Sequence, residues 1–151
     1  MNYNAFLDEM DAFLATLDGT PSMLLMNTQM LIKLRSIARR AGYYERSTDA
    51  FGRTVETYAG IPMVDMGKYY NGESSVDVIA TESGLTSIYA VCLGLDGLHG
   101  IAPQGSGVIV SYLPDLNAPG AVKTGEVELV AGIALKNTLK AAVLKDIVID
   151  K

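Results

Sequence analysis

Met23-Leu-Leu-Met-Asn-Thr-Gln-Met-Leu-Ile-Lys-Leu-Arg-Ser-Ile-Ala-Arg-Arg-Ala-Gly42 carries three signals in a row. Met23–Met26 is a short apolar run between turn-forming neighbours, the pattern of a buried strand. Asn27 or Thr28 follows, and either side chain can accept a hydrogen bond from the free N–H groups that open a helix. Apolar residues then recur at Met30 or Leu31, Leu34, Ile37 or Ala38, and Ala41, which is one stripe of helical period. Lys33, Arg35, Arg39 and Arg40 take the other side. The late arginines complement the negative end of the helix dipole, and Gly42 ends the helix. A strand, a cap and a helix in this order fit an α/β layer.

Upstream, Phe6, Met10, Phe13 and Leu17 fall at helical spacing, with Leu7 and Leu14 beside them. The spacing predicts a helix over 4–17, capped by Asn2 or Asn4 and ended by Gly19 and Pro21. Downstream, 43–53 reads as polar and irregular. Thr54–Tyr58 alternates, Ala59-Gly60 turns the chain, and 61–66 returns, which makes a hairpin. Pro62 favours a sheet edge or a strand start, because it has no N–H to donate. Residues 67–75, rich in Gly, Asn and Ser, read as a loop.

Further strands are expected at 76–80, 87–93, 108–113 and 126–130, separated by Gly, Pro and Asn. The stretch 132–149 fits helix or strand. Its closing Leu144-Lys-Asp-Ile-Val-Ile149 favours strand, and most of the stretch is read as β. With helices early and strands late, the class is α+β.

The chain has 151 residues, one domain by the usual length prior. Hydrophobic residues at 49% and a mean hydropathy of +0.22 argue against disorder. The apolar run 141–144 is far below the roughly 20 residues of a membrane-spanning helix, so no membrane partner is expected. Residues 1–13 carry Asp8, Glu9 and Asp11 and no basic side chain, the reverse of a secretory signal, so export is not expected. Cys92 is the only cysteine, which forbids an intrachain disulfide and fits a reducing compartment. A net charge of −5 argues against broad binding to phosphate backbones.

No arrangement of residues spells out a reaction. Gly94-Leu-Asp-Gly-Leu-His-Gly100 misses the spacing of both phosphate-binding glycine motifs and reads as a flexible β connection. His99 is the only histidine, so a metal site lacks converging ligands and a hydrolase triad lacks its base. Ser106 sits in Gly-Ser-Gly, without the frame of a nucleophile elbow. Cys92, in an apolar strand, reads as a buried structural thiol. Glu73, Asp77, Glu82 and Asp96 lie in or near loops and read as solvated carboxylates. The basic row of Lys33, Arg35, Arg39 and Arg40, with Tyr43 and Tyr44 beside it, reads as a solvated helix face rather than a nucleic-acid contact. No catalytic, cofactor-binding or metal-binding residue is assigned, and no cofactor.

Three longer stretches carry a resemblance. Asp49-Ala-Phe-Gly-Arg53 followed by Tyr58-Ala-Gly-Ile-Pro-Met-Val-Asp65 resembles the segment after the strand–Asn–helix unit of tailed-phage (prophage) major capsid proteins. That unit corresponds here to Leu24–Asn27 and the helix after it. Ile88-Tyr-Ala-Val-Cys-Leu-Gly-Leu-Asp-Gly-Leu-His-Gly100 is similar to the family's next strand and turn. Ala121-Val-Lys-Thr-Gly-Glu-Val-Glu-Leu129, with Ala134-Leu-Lys136 and Ala141-Ala-Val-Leu144, looks like its closing strands. Each motif is moderately specific; their shared order over about 5–149 carries the match.

The resemblance implies an HK97-like fold: an A-domain with part of a P-domain, a mixed sheet flanked by helices and a long β arm. It implies a structural protein that self-assembles into an icosahedral shell and has no catalysis. Its partners would be copies of itself or of full-length capsid protein, and a scaffold protein, with no sequence-specific nucleic-acid binding. Its place would be the virion capsid, or the bacterial host cytoplasm when expressed from a prophage. The family's N-terminal arm and extended loop have no counterpart here, so 1–151 reads as a single truncated core. The alternatives are an encapsulin-like compartment subunit of the same fold, and a small α+β enzyme or ligand-binding domain using carboxylates near Gly94–Gly107.

Overall fold

The computed structural model describes residues 3–42, 45–48, 52, 54–105, 107–117 and 119–149. Along the chain come helix α1 (Tyr3–Leu14), strand β1 (Met23–Met26), helix α2 (Thr28–Ala41) and strands β2 (Glu45–Thr48), β3 (Thr54–Tyr58) and β4 (Ile61–Asp65). Then follow β5 (Lys68–Tyr70), β6 (Ser75–Asp77), β7 (Leu85–Val91), β8 (Leu98–Ile101), β9 (Ile109–Tyr112), β10 (Glu126–Leu129) and β11 (Gly132–Leu135). A 3-10 turn (Thr138–Lys140) leads into β12 (Ala141–Val148). The class is α+β, as the residue pattern predicts. Two compact units divide the chain: Met1–Leu98 with Leu135–Lys151, and His99–Ala134.

In the first unit a six-stranded mixed sheet runs in the order β12-β7-β1-β4-β3-β2. β1 pairs parallel with β4 and antiparallel with β7. Leu24 lies opposite both Met63 and Ala90, so these three share one face, and all three are buried. Met10 of α1 and Met30, Leu34 and Ile37 of α2 are buried in the same core. On the other face, Tyr89 pairs with Leu25 and Val143; Tyr89 and Val143 are exposed.

The opening stretch folds as its pattern predicts. Asn27 Oδ1 accepts from Met30 N–H at 2.9 Å, and Gly42 stops α2 at φ 77° with its N–H on the Ala38 and Arg39 carbonyls. The Asn27 amide has a second role. Its Nδ2 lies 3.2 Å from the Ile79 carbonyl, 2.8 Å from Thr81 Oγ1 and 3.0 Å from Thr86 Oγ1. One buried side chain thus fixes the start of α2 to the segment that enters β7.

The β3–β4 hairpin is also as expected. Ala59 at φ 49° and Gly60 at φ 78° make a two-residue turn with both centres left-handed, which matches the twist of the flanking strands. Pro62 occupies a strand start, not a sheet edge: β4 is an inner strand, and its pairing with β1 begins one residue later, at Met63.

Other expectations need correcting. The first helix ends at Leu14, not at 17, because Thr16 and Leu17 N–H groups turn back to Phe13 and Leu14 and the Thr16 hydroxyl donates to the Phe13 carbonyl at 2.7 Å. Asn4 lies inside α1 and is not its cap; Asn2 is outside the described residues. Within 43–53, Glu45–Thr48 is strand β2, an edge strand held by its ladder to β3 rather than by apolar side chains. Tyr43, Tyr44, 49–51 and Arg53 are outside the described residues.

The loop expected over 67–75 contains a second hairpin, β5–β6, whose tip is closed by Asn71 Oδ1 accepting from Glu73 and Ser74 N–H. The strand expected over 76–80 therefore begins at Ser75 and ends at Asp77, and β7 starts at Leu85 and stops at Val91. In 132–149 most residues are β, interrupted by the 3-10 turn. The second unit is built of ladders: β9 pairs with β10, and β8 with β11.

Candidate functional site

The glycine stretch after β7 is shaped by contact rather than by a ligand loop. A Cβ on Gly97 would lie 2.3 Å from the Cys92 carbonyl oxygen, so only glycine lets the turn close. Leu98 N–H then reaches that same carbonyl at 2.9 Å, and Gly97 N–H reaches the Gly94 carbonyl at 3.0 Å. Cys92 itself lies just past the end of β7 and is half-buried, with Sγ 3.7 Å from the Thr20 carbonyl. It is not inside the strand, because β7 ends at Val91, opposite the first residue of β12.

Lys140 is an electrostatic junction of the first unit that joins two acids. Its Nζ donates to the Asp18 carbonyl at 2.7 Å and sits 3.2 Å from Asp18 Oδ2 and 3.8 Å from Asp96 Oδ2. The hydrogen bond to the Asp18 carboxylate raises the Lys140 pKa; desolvation opposes it, and the charges of Asp18 and Asp96 add to the rise. Sequence reading missed this residue, since an acid at 18, another at 96 and a lysine at 140 carry no spacing signal. The junction ties together the α1–β1 loop, the turn after β7 and the 3-10 turn.

The four loop carboxylates do not share a site. Asp77 pairs with Lys68 at 3.4 Å across the β5–β6 hairpin, whose tip holds Glu73. Glu82 precedes β7 and Asp96 follows it, so a seven-residue strand separates them by roughly 20 Å at the usual rise. Glu82 and Asp146 line one groove of about 390 Å³. In two other grooves of the same unit, of about 660 and 650 Å³, Asp11, Glu56 and Asp65 have structural partners. Asp11 accepts from Tyr58 OH at 2.8 Å, Glu56 pairs with Arg35 at 2.7 Å, and Asp65 accepts from Thr28 Oγ1 and Gly67 N–H.

Among the described residues no three of His, Cys, Asp and Glu come together as a metal site would require, and no helix is long and apolar enough to cross a membrane. Of the basic row, Arg35 is committed to Glu56, and Arg39 and Arg40 are exposed in the last turn of α2.

What stands out instead is apolar surface. In the second unit no described residue is buried, yet Ile109 is 66% exposed, Val127 75%, Leu129 65% and Ile133 79%. These four lie on three strands, β9, β10 and β11, and patches of this kind are often functional. The alternating sequences of β9 and β10 read as half-buried strands, and only the structure separates pattern from burial.

No family model matches the chain, and no curated protein matches it. Among solved structures it is similar to the SrpI encapsulin from Synechococcus elongatus PCC 7942, determined as a holo complex, with a TM-score of 0.69 and 20% identity. The likeness covers 95% of this chain and 50% of that one, so the chain spans about half the length of the encapsulin. With its mixed sheet and two helices, the chain has the fold of an HK97-like core.

Proposed function

We propose that the chain is a structural shell subunit, acting by association with copies of itself or of a longer capsid protein rather than by catalysis. The observation that carries this reading is the likeness to an encapsulin over 95% of the chain. The exposed aliphatic residues of the second unit support it, because a shell is made of repeated contacts that cover such surface. The scatter of Glu73, Asp77, Glu82 and Asp96 weighs against the small-enzyme alternative.

Two shells share this fold. The resemblance in sequence order favours a tailed-phage or prophage capsid, located in the virion or in the host cytoplasm before assembly. The solved neighbour favours an encapsulin-like compartment. In either case the chain joins a capsomer, with a scaffold protein as a further partner in the phage case.

Sedimentation velocity and negative-stain electron microscopy of the purified chain test the proposal. Concentration-dependent oligomers, rings or closed shells are the expected result. A chain that stays monomeric throughout a concentration series, alone and with a full-length homologue, would overturn it.

A further inference from the structure

We infer that the β9–β10 ladder is a self-docking surface, stacking through its Ile109, Val127 and Leu129 face on the same face of a second copy. The inference rests on the shell-subunit reading and specifies where one of its contacts lies. The register puts Leu129 opposite Ile109 and Val127 opposite Ser111, so these four side chains project from one face. Glu126 opposite Tyr112 and Glu128 opposite Val110 project from the other.

The two faces differ in what they can meet. The first has no charge, so two copies bring no like charges together across a two-fold axis. The second would set Glu126 and Glu128 against their own images, which is repulsive. A second copy is therefore compatible with one face only. A two-stranded ladder is also marginal in water until something covers its apolar side, and Ile109, Val127 and Leu129 are all at least 65% exposed.

Area sets the strength of the contact. The three residues present on the order of 400 Å², the size of the largest apolar patch on a typical monomer, which is often functional. A face-to-face pair would remove on the order of 800 Å² in total, about half of a standard stable complex. Such a contact is weak when single and effective when repeated, which is the regime of a shell.

The test uses the full chain with Cys92→Ser as background. Val127→Cys is treated with a short bis-maleimide and compared with Glu128→Cys, one residue away on the opposite face. The expected result is a covalent dimer from Val127→Cys and several-fold less from Glu128→Cys. In parallel, Val127→Glu with Leu129→Glu should lower the sedimentation mass while far-ultraviolet circular dichroism is unchanged. Equal cross-linking at both positions overturns the inference, as does undiminished association of the double variant; in either case the shell reading stands if the parent chain still associates. A parent chain that is monomeric and does not cross-link at Val127→Cys overturns both. If the double variant does not fold, the cross-linking pair alone decides.

Discussion

Both units of this chain place apolar residues on strands, but only the first buries them. In the first, strands β1, β4 and β7 place Leu24, Met63, Ile88 and Ala90 under two amphipathic helices, and each is buried. In the second, strands that also carry aliphatic side chains form two-stranded ladders with no described residue buried. Alternation therefore reports which side of a strand is apolar, not whether anything covers it. The first unit holds its own core; the second has apolar faces that only another surface would bury.

The sharpest way to break this comparison is a matched pair of truncations. Leu34→Ala, at full burial, should cost about 2–5 kcal/mol of unfolding free energy, whereas Val127→Ala should stay within about 0.5 kcal/mol in the unassociated chain. Denaturant titration at low concentration measures both, and a large loss at Val127 would show that the second unit has a core of its own.

Next in size is Asn27→Ala. It removes the α2 cap and the amide's bonds to Ile79, Thr81 and Thr86, so a loss of about 1–3 kcal/mol is expected in the same titration. Gly60→Val should cost about 1–2 kcal/mol through its left-handed φ alone, since no atom lies within 4 Å of an added Cβ. Gly60→Asn, which tolerates that region, should recover most of the loss, and unchanged thermal stability in the valine variant would contradict the turn.

The smallest effect is electrostatic. Because the Lys140 pKa is raised on folding, its contribution is fully present below the ordinary lysine value of 10.5 and fades as pH climbs through the raised one. Lys140→Met should therefore flatten the alkaline limb of a stability–pH curve while leaving the acid side dominated by other groups. An unchanged alkaline limb would remove Lys140 from the account.

Much of the first unit was legible because its signals are local. Asn27, Gly42 and the Ala59-Gly60 turn each act through residues a few positions away, and all three are where the pattern predicts. Strand β2 was not legible: Glu45-Arg-Ser-Thr48 has no apolar alternation and is a strand only through its pairing with β3. The β5–β6 hairpin hid for a related reason, because its tip relies on an Asn71 side chain in a stretch that composition marks as loop. The Lys140 junction joins positions 18, 96 and 140, and no periodicity reaches that far. Cys92 misled in the opposite sense, since its apolar neighbours extend past the last paired residue of β7.

The Asn27 amide also imposes an order of events on a nascent polypeptide. Its oxygen can find Met30 as soon as one turn of helix has left the ribosome, whereas its nitrogen needs acceptors 52 to 59 positions further along. Closing loops of that length costs entropy before it brings any reward. The start of α2 is thus tied both to its own first turn and to a segment more than fifty residues away, so losing that one amide would loosen the helix from β7 as well as uncap it.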